Sequence, residues 1–216
     1  VGCLRTPAST ALIARSCSKE NAISALMIGT GAQGIITLPF LLTALPDLET
    51  LRLFGTHPDG IAASLEMFAR YFPGRSIELV TDVPAAVAES DIVIAASGRA
   101  AHPKVETKWL KQGGLLISVA SKGVAGGALG DADYAIATNE GQLGVTGKRL
   151  AGPDGIARID AELPDIIVGR KSGRRSQQDR VFAFSSGMTI TDIPVAHALA
   201  TRAIAAGRGN RIELWK

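Results

Sequence analysis

Gly29-Thr30-Gly31-Ala32-Gln33-Gly34 sets three glycines at the spacing GxGxxG. A turn of this composition can turn bare backbone N–H groups toward an anion, because no side chain screens the amides. Each glycine has its own physical task. Gly29 permits a tight turn, Gly31 lets the backbone approach a pyrophosphate, and Gly34 lets a following helix pack closely on the preceding strand. The chain holds 24 glycines, so the spacing alone carries little weight and the flanks decide. An apolar run at 23–28 ends on Gly29, a helical pattern at 32–45 follows, and a second apolar run, Thr50–Phe54, closes about twenty residues after the turn. That context reads as a dinucleotide site; the competing reading is a glycine-rich turn with no ligand.

Preference between the nicotinamide dinucleotides is set where the second strand ends. An Asp or Glu there binds both ribose hydroxyls and repels a 2′-phosphate. Phe54-Gly55-Thr56-His57-Pro58 has no carboxylate at that place. Thr56 and His57 can donate to a 2′-phosphate, which favours NADP over NAD; an exposed loop histidine without that role is the alternative. Aspartate at Gly55 is the expected probe of the preference. No side chain stands out as a general acid or base, since His57 and His102 fall on loops and His197 inside the last helical pattern. The catalytic residues are therefore unknown at this level. Cys3 and Cys17 form no CxxC pair, so neither a metal site nor a disulfide framework is expected.

These groups need a scaffold that gathers strand ends. Short runs rich in Val, Ile and Leu alternate with longer helical patterns, the signature of parallel βαβ units with helices on both sheet faces. Residues 23–28, Thr50–Phe54, 77–80, 91–95, Leu115–Val119, Tyr134–Ala137 and 181–184 read as strands. Residues 32–45, 59–71, 83–88, 161–168 and 192–206 read as helices. Pro39 predicts a kink or early break in the first of these, while Asp192 as cap, Pro194 and Gly207 bound the last. Residues 139–173 are otherwise glycine-rich and irregular, and the tail 211–215 reads as a terminal strand or loose packing. The expected fold class is α/β, a Rossmann-type doubly wound, mostly parallel sheet. Residues 15–184 form the dinucleotide domain, 1–14 a linker, and 185–216 a return helix and tail.

Composition narrows the partners. With 216 residues, 46% hydrophobic and 20% charged, the chain can bury a large core. A net charge of +3, from 23 basic and 20 acidic side chains, is too small and scattered to imply nucleic acid. The densest basic stretch, 170–180, has no interleaved aromatics and reads as a solvated loop. The longest apolar run, 35–45, is too short to span a bilayer, and no secretory signal opens the chain. A cytoplasmic protein with no membrane partner is expected.

Further motifs accompany the glycine turn in order. They are Arg5-Thr6-Pro7-Ala8-Ser9, then Ser90-Asp91-Ile92-Val93, Pro103, Asp165-Ile166-Ile167-Val168-Gly169-Arg170, Gly173-Arg174, and Phe184-Ser185-Ser186-Gly187 running on to Asp192. The set resembles the ornithine cyclodeaminase/mu-crystallin family, which includes alanine dehydrogenases and cyclic ketimine reductases. The resemblance implies that Gly29, Thr30, Gly31, Ala32 and Gln33 cradle the pyrophosphate and that Gly55, Thr56 and His57 lie by the adenosine ribose. It also implies that Ala96 and Ser97 sit beside the cofactor and that Val119, Ser121 and Ser186 flank the nicotinamide side. Arg5 becomes a clamp for a substrate carboxylate, a task suited to a planar guanidinium; pairing with a neighbouring acid is the alternative. A homodimer is implied as well.

The chain departs from that pattern twice. Where the family's cyclodeaminases carry a general-base aspartate, Val119-Ala120-Ser121-Lys122-Gly123 places Lys122, and the acidic residue that usually follows gives way to Gly126-Gly127-Ala128-Leu129. Lysine serves as a base only when strongly desolvated, so Lys122 is read as a holder of a carboxylate or phosphate, with an exposed loop lysine as the alternative. Asp131 and Asp133 are expected to cap or solvate the sixth strand. Members of the family also carry a substrate region ahead of the RTxA motif, whereas four residues precede Arg5. The final helix is thus expected to expose an apolar face and to invite self-association. The leading expectation is an NAD(P)-dependent oxidoreductase acting on a small amino acid or cyclic imine. A cyclodeaminase-type lyase and a non-catalytic, mu-crystallin-like NAD(P)-binding protein are the alternatives.

Overall fold

Strands that are apolar at every position must bury both faces, which is stable when helices cover a parallel sheet from both sides. The computed structural model, which describes residues 1–98, 100–119, 121–210 and 212–213, has this arrangement. In chain order the elements are α1 (Gly2–Cys17), β1 (Ser24–Ile28), α2 (Gly34–Ala44), β2 (Thr50–Phe54), α3 (Pro58–Tyr71), β3 (Glu78–Leu79), α4 (Val83–Glu89) and β4 (Ile92–Ala95). Then follow β5 (Leu115–Val119), β6 (Tyr134–Ala137), α5 (Glu140–Thr146), β7 (Ala161–Glu162), α6 (Leu163–Ile167), β8 (Val181–Ser185) and α7 (Thr189–Ala205). The sheet order is β3-β2-β1-β4-β5-β8-β6-β7, with every pairing parallel. The order reverses between β1 and β4, and a crevice for ligands forms at such a switch point.

The period of two along each strand divides the core. Ala25 and Met27 of β1 pack with Ile13, Cys17, Leu38, Leu41 and Phe68 on one face. Leu26 and Ile28 pack with Val83, Val87, Leu116, Phe182 and Phe184 on the other. The β2 strand alternates instead, with Leu51 and Leu53 buried while Arg52 turns outward to Glu78 and Glu89 at 3.1 Å each.

The segment read as a linker is helical over Gly2–Cys17. Pro7, Thr10, Ala11, Ala14 and Cys17 are all buried, and their spacing puts them on one stripe. That stripe faces the sheet beside α2. A clasp holds its end: buried Arg174 donates to the Cys17 carbonyl from Nε and Nη2, at 3.1 and 2.8 Å, and from Nη2 to the Gly113 carbonyl at 3.2 Å. Gly173 makes the approach possible, because a Cβ there would lie 2.1 Å from the Ser16 carbonyl oxygen. The basic stretch is therefore not solvated throughout; Arg174 is a buried strut within it. Burial pushes the Cys17 thiol up to about 12, so it stays protonated and inert.

A second clasp ties β1 to β4. The carboxylate of Asp91 meets Lys19 and Lys111 at 2.7 and 2.8 Å and accepts from the Ile23 and Ser24 amides and the Ser24 hydroxyl. Burial by itself raises this group, but the two lysines and the neighbouring donors outweigh it and hold it well below the usual carboxylate range.

Several boundaries differ from expectation. The α2 helix does not end at Pro39 but runs on to Ala44. The pattern read as one helix at 161–168 is a two-residue edge strand followed by the short α6. The last helix begins at Thr189 with Met188 as its cap, so Asp192 lies in its first turn rather than capping it. No residue of α7 is buried, and Ile190, Ile193, Leu199 and Ile204 are exposed, as anticipated for that apolar face. The expected tail element at 211–215 lies largely outside the described residues. Among the described residues, no helix is long and apolar enough to cross a membrane.

Candidate dinucleotide site

At the switch point β1 stays paired on both sides to its carboxyl end, with Gly29 donating to the Phe54 carbonyl (2.8 Å) and Ala96 to the Ile28 carbonyl (2.9 Å). Gly29 has φ +111°, a conformation that L side chains rarely adopt, and a Cβ there would lie 2.9 Å from the Ser97 nitrogen. At Gly34 a Cβ would stand 1.8 Å from the Gly29 carbonyl oxygen, so α2 begins hard against the strand that precedes it. Gly31 is different. Nothing of the protein lies within 4 Å of a Cβ placed there, and both Gly31 and Ala32 are exposed.

Gln33 caps α2 by position and is half-buried; its amide reaches the Gly2 carbonyl only weakly at 3.5 Å, and its Oε1 is buried without a partner among the described residues. Neither Gln33 nor Pro39, which is buried within α2, closes the turn. An open backbone turn ahead of a helix start fits the diphosphate of a dinucleotide.

Thr30 is buried under two further glycines. A Cβ at Gly55 would lie 2.5 Å from Thr30 Cγ2 and 2.9 Å from Ile61, and one at Gly60 would lie 2.6 Å from the Thr30 carbonyl oxygen. The end of β2 and the first turn of α3 thus press directly on the glycine turn, which places Thr56 and His57, both exposed, at its rim. The aspartate probe expected at Gly55 is sterically blocked; position 56 is the open one.

Across the crevice, Ala96 and Ser97 follow β4 and are half-buried. The Ser97 hydroxyl is buried without a partner among the described residues, and a Cβ at Gly123 would meet it at 2.5 Å. Val119 ends β5. Ser121 is buried with φ +57° and donates to the Thr146 carbonyl at 3.2 Å, so its hydroxyl is engaged within the fold. Lys122 is exposed, and its carbonyl accepts from Lys104 at 2.8 Å. Asp133 accepts from the Arg180 amide at 2.8 Å ahead of β6, the capping task expected of it.

Ser186, just past β8, shares a 2.7 Å hydroxyl contact with Thr138, and its amide donates to Thr138 Oγ1 at 3.0 Å. Thr138 escaped the sequence reading, although its place directly after a parallel strand was the available signal. Arg5 on α1 donates from Nε to Asp192 Oδ1 at 2.7 Å. Among the described residues, no group of three acidic, His or Cys side chains is placed to hold a metal.

Topology therefore gathers Gly29–Gln33, Gly55–His57, Ala96, Ser97, Val119, Ser121 and Ser186 at the carboxyl ends of the strands, as the doubly wound order requires. Fold and site together define a Rossmann-type α/β domain with a glycine turn of dinucleotide-binding form. Residues 1–207 match the model of the ornithine cyclodeaminase/mu-crystallin family, and the chain belongs to that family. A Delta(1)-pyrroline-2-carboxylate reductase of Bacillus cereus is 30% identical over 97% of the chain and 66% of the relative. The chain thus spans about two thirds of the length of curated relatives that it matches. Among solved structures, the Delta(1)-pyrroline-2-carboxylate reductase of Thermococcus litoralis with NADH and L-proline is 21% identical, with TM-score 0.75 over 97% of this chain and 67% of that one. An archaeal alanine dehydrogenase dimer with bound NAD is 20% identical, with TM-score 0.78 over 99% and 67%. At such identities these two likenesses establish the fold.

Proposed function

We propose that the chain supplies the dinucleotide site of an NAD(P)-dependent oxidoreductase acting on a small amino acid or cyclic imine that carries a carboxylate. The observation that carries this reading is the contrast within one turn: Gly29 and Gly34 are closed by protein atoms while Gly31 opens onto space. When bound, a nicotinamide would supply hydride exchange at the substrate carbon that bears nitrogen. The protein's own part is placement. Gly29–Gln33 hold the pyrophosphate, Thr56 and His57 face the ribose and favour NADP over NAD, and Ala96, Ser97, Val119, Ser121 and Ser186 line the nicotinamide side. Arg5 anchors the carboxylate so that the reacting carbon sits over the ring. The proposed division keeps 15–184 as the dinucleotide domain, with the flanks 1–14 and 185–216 meeting through Arg5 and Asp192.

Relatives that share the fold support this reading, being reductases and dehydrogenases of amino and imino acids. A reductase needs a single proton, which solvent can supply; a cyclodeaminase needs a base that Lys122 replaces. The same replacement favours, as a second reading, a dinucleotide-binding protein without turnover. Fluorescence titration with NADH and NADPH, followed by absorbance loss with pyrroline-2-carboxylate, piperideine-2-carboxylate, or pyruvate with ammonia, separates the two. Binding with turnover supports the oxidoreductase, binding without it supports the second reading, and no binding rejects both. The exposed apolar side chains of α7 favour a homodimer, which light scattering tests. Cytoplasm is the compartment we propose, where two unpaired thiols and amino-acid redox chemistry coexist.

A further inference from the structure

A guanidinium has two edges able to grip a carboxylate with two parallel bonds: the side-on edge, Nε with one Nη, and the end-on edge, Nη1 with Nη2. Asp192 Oδ1 takes Nε of Arg5 at 2.7 Å, across 187 residues of chain. The side-on edge is thereby engaged at Nε. Nη1 and Nη2 make no hydrogen bond among the described residues. They lie against Gly187, where a Cβ would stand 2.8 Å from Nη2 and 3.3 Å from Nη1. The Arg5 side chain is 11% exposed and that of Asp192 36%.

From this we infer that Asp192 is a positioning residue: it locks Arg5 by its side so that the end-on edge stays open for the substrate carboxylate, and the bare backbone at Gly187 gives that edge room. The inference rests on the proposed function and adds to it the group that aims the clamp. Three features act together. The bond at Nε stops rotation of the guanidinium and removes rotamer entropy before substrate arrives, so less is lost when the carboxylate binds. The negative charge compensates a largely buried cation when no substrate is present. The adjoining Ser186, tied to Thr138, fixes the turn from which both Gly187 and α7 depart.

The test uses the full chain saturated with NADH and pyrrole-2-carboxylate as an unreactive probe, titrated calorimetrically. Asp192→Asn keeps the shape and loses the charge; its affinity for the probe is expected to fall about tenfold with NADH affinity unchanged, while the thermal midpoint drops because Arg5 loses its compensating charge. Arg5→Ala is expected to lose about a hundredfold, and the double variant no more than Arg5→Ala alone, because the aspartate acts through the arginine. Asp192→Glu should recover part of the loss. The Arg5 Nε–H resonance in nitrogen-15 spectra should be protected from exchange in the parent chain and exposed in Asp192→Asn. Equal probe affinity in Asp192→Asn, or a double variant whose losses multiply, overturns the inference and leaves the proposed function standing. A parent chain that binds NADH but not the probe overturns the inference together with the Arg5 clamp of the proposed function, and leaves only the dinucleotide site standing. A parent chain that does not bind NADH overturns the proposed function itself.

Discussion

Replacing Gly31 by valine separates what the turn needs from what its ligand needs. A Cβ at this position has no protein atom within 4 Å, and the backbone there is outside the left-handed region. The change should therefore alter stability by no more than about 0.5 kcal/mol, the ordinary cost of an exposed substitution. A diphosphate resting on the open amides would meet the new side chain directly. Loss of two charge-assisted hydrogen bonds costs about 3 kcal/mol, roughly a hundredfold in Kd. Gly34→Val is the contrasting control, because its Cβ would stand 1.8 Å from a carbonyl oxygen and the damage must fall on the fold. Thermal unfolding paired with NADPH fluorescence titration reads both quantities. A Gly31→Val protein that melts normally and binds the dinucleotide as tightly as before would refute the site.

The other expectations draw on separate parts of the structure. Thr56→Asp, at the exposed rim where Gly55 is blocked, should shift preference toward NAD about tenfold by repelling a 2′-phosphate; an unchanged ratio of the two affinities would contradict the reading of that strand end. Asp91 is held below its usual value of 3.8, so its stabilisation is fully present above that value and is lost as pH falls through the depressed one. Asp91→Asn should cost about 2 kcal/mol at neutral pH, since Lys19 and Lys111 stay partly hydrated. In urea melts the gap from the parent should narrow progressively below about pH 4, and a gap constant down to pH 2 would speak against the clasp. Arg174→Met leaves the Cys17 and Gly113 carbonyls without their buried donor and should cost about 3 kcal/mol. Hydrogen exchange should then quicken first at the end of α1; uniform protection there would show that the strut is dispensable.

Local chemistry made much of this protein legible in advance. Glycine at 29, 31 and 34 has consequences that follow from the absence of a Cβ: protein atoms crowd the first and last positions, and the middle one opens onto space. Six of the seven expected strands are apolar runs wholly or half buried, a pattern that survives without knowledge of neighbours; the exposed two-residue β3 at the sheet edge is the exception. What resisted was anything that depends on partners distant in the chain. The helix Gly2–Cys17 has modest amphipathicity and an internal proline, so its stability comes from the buried stripe and from Arg174, some 157 residues away. Likewise β8, last in the chain, slots between β5 and β6, an order that strand propensities do not encode. The Thr138–Ser186 hydroxyl pair and the Arg5–Asp192 ion pair exist only because that insertion brings the end of β8 beside the end of β6 and the start of α7 beside α1. Residue types and their short spacings thus announced the glycine turn that we propose as a diphosphate site. The fold alone decided which side chains surround it, because hydrogen bonds and ion pairs act over ångströms of space, whatever the separation along the chain.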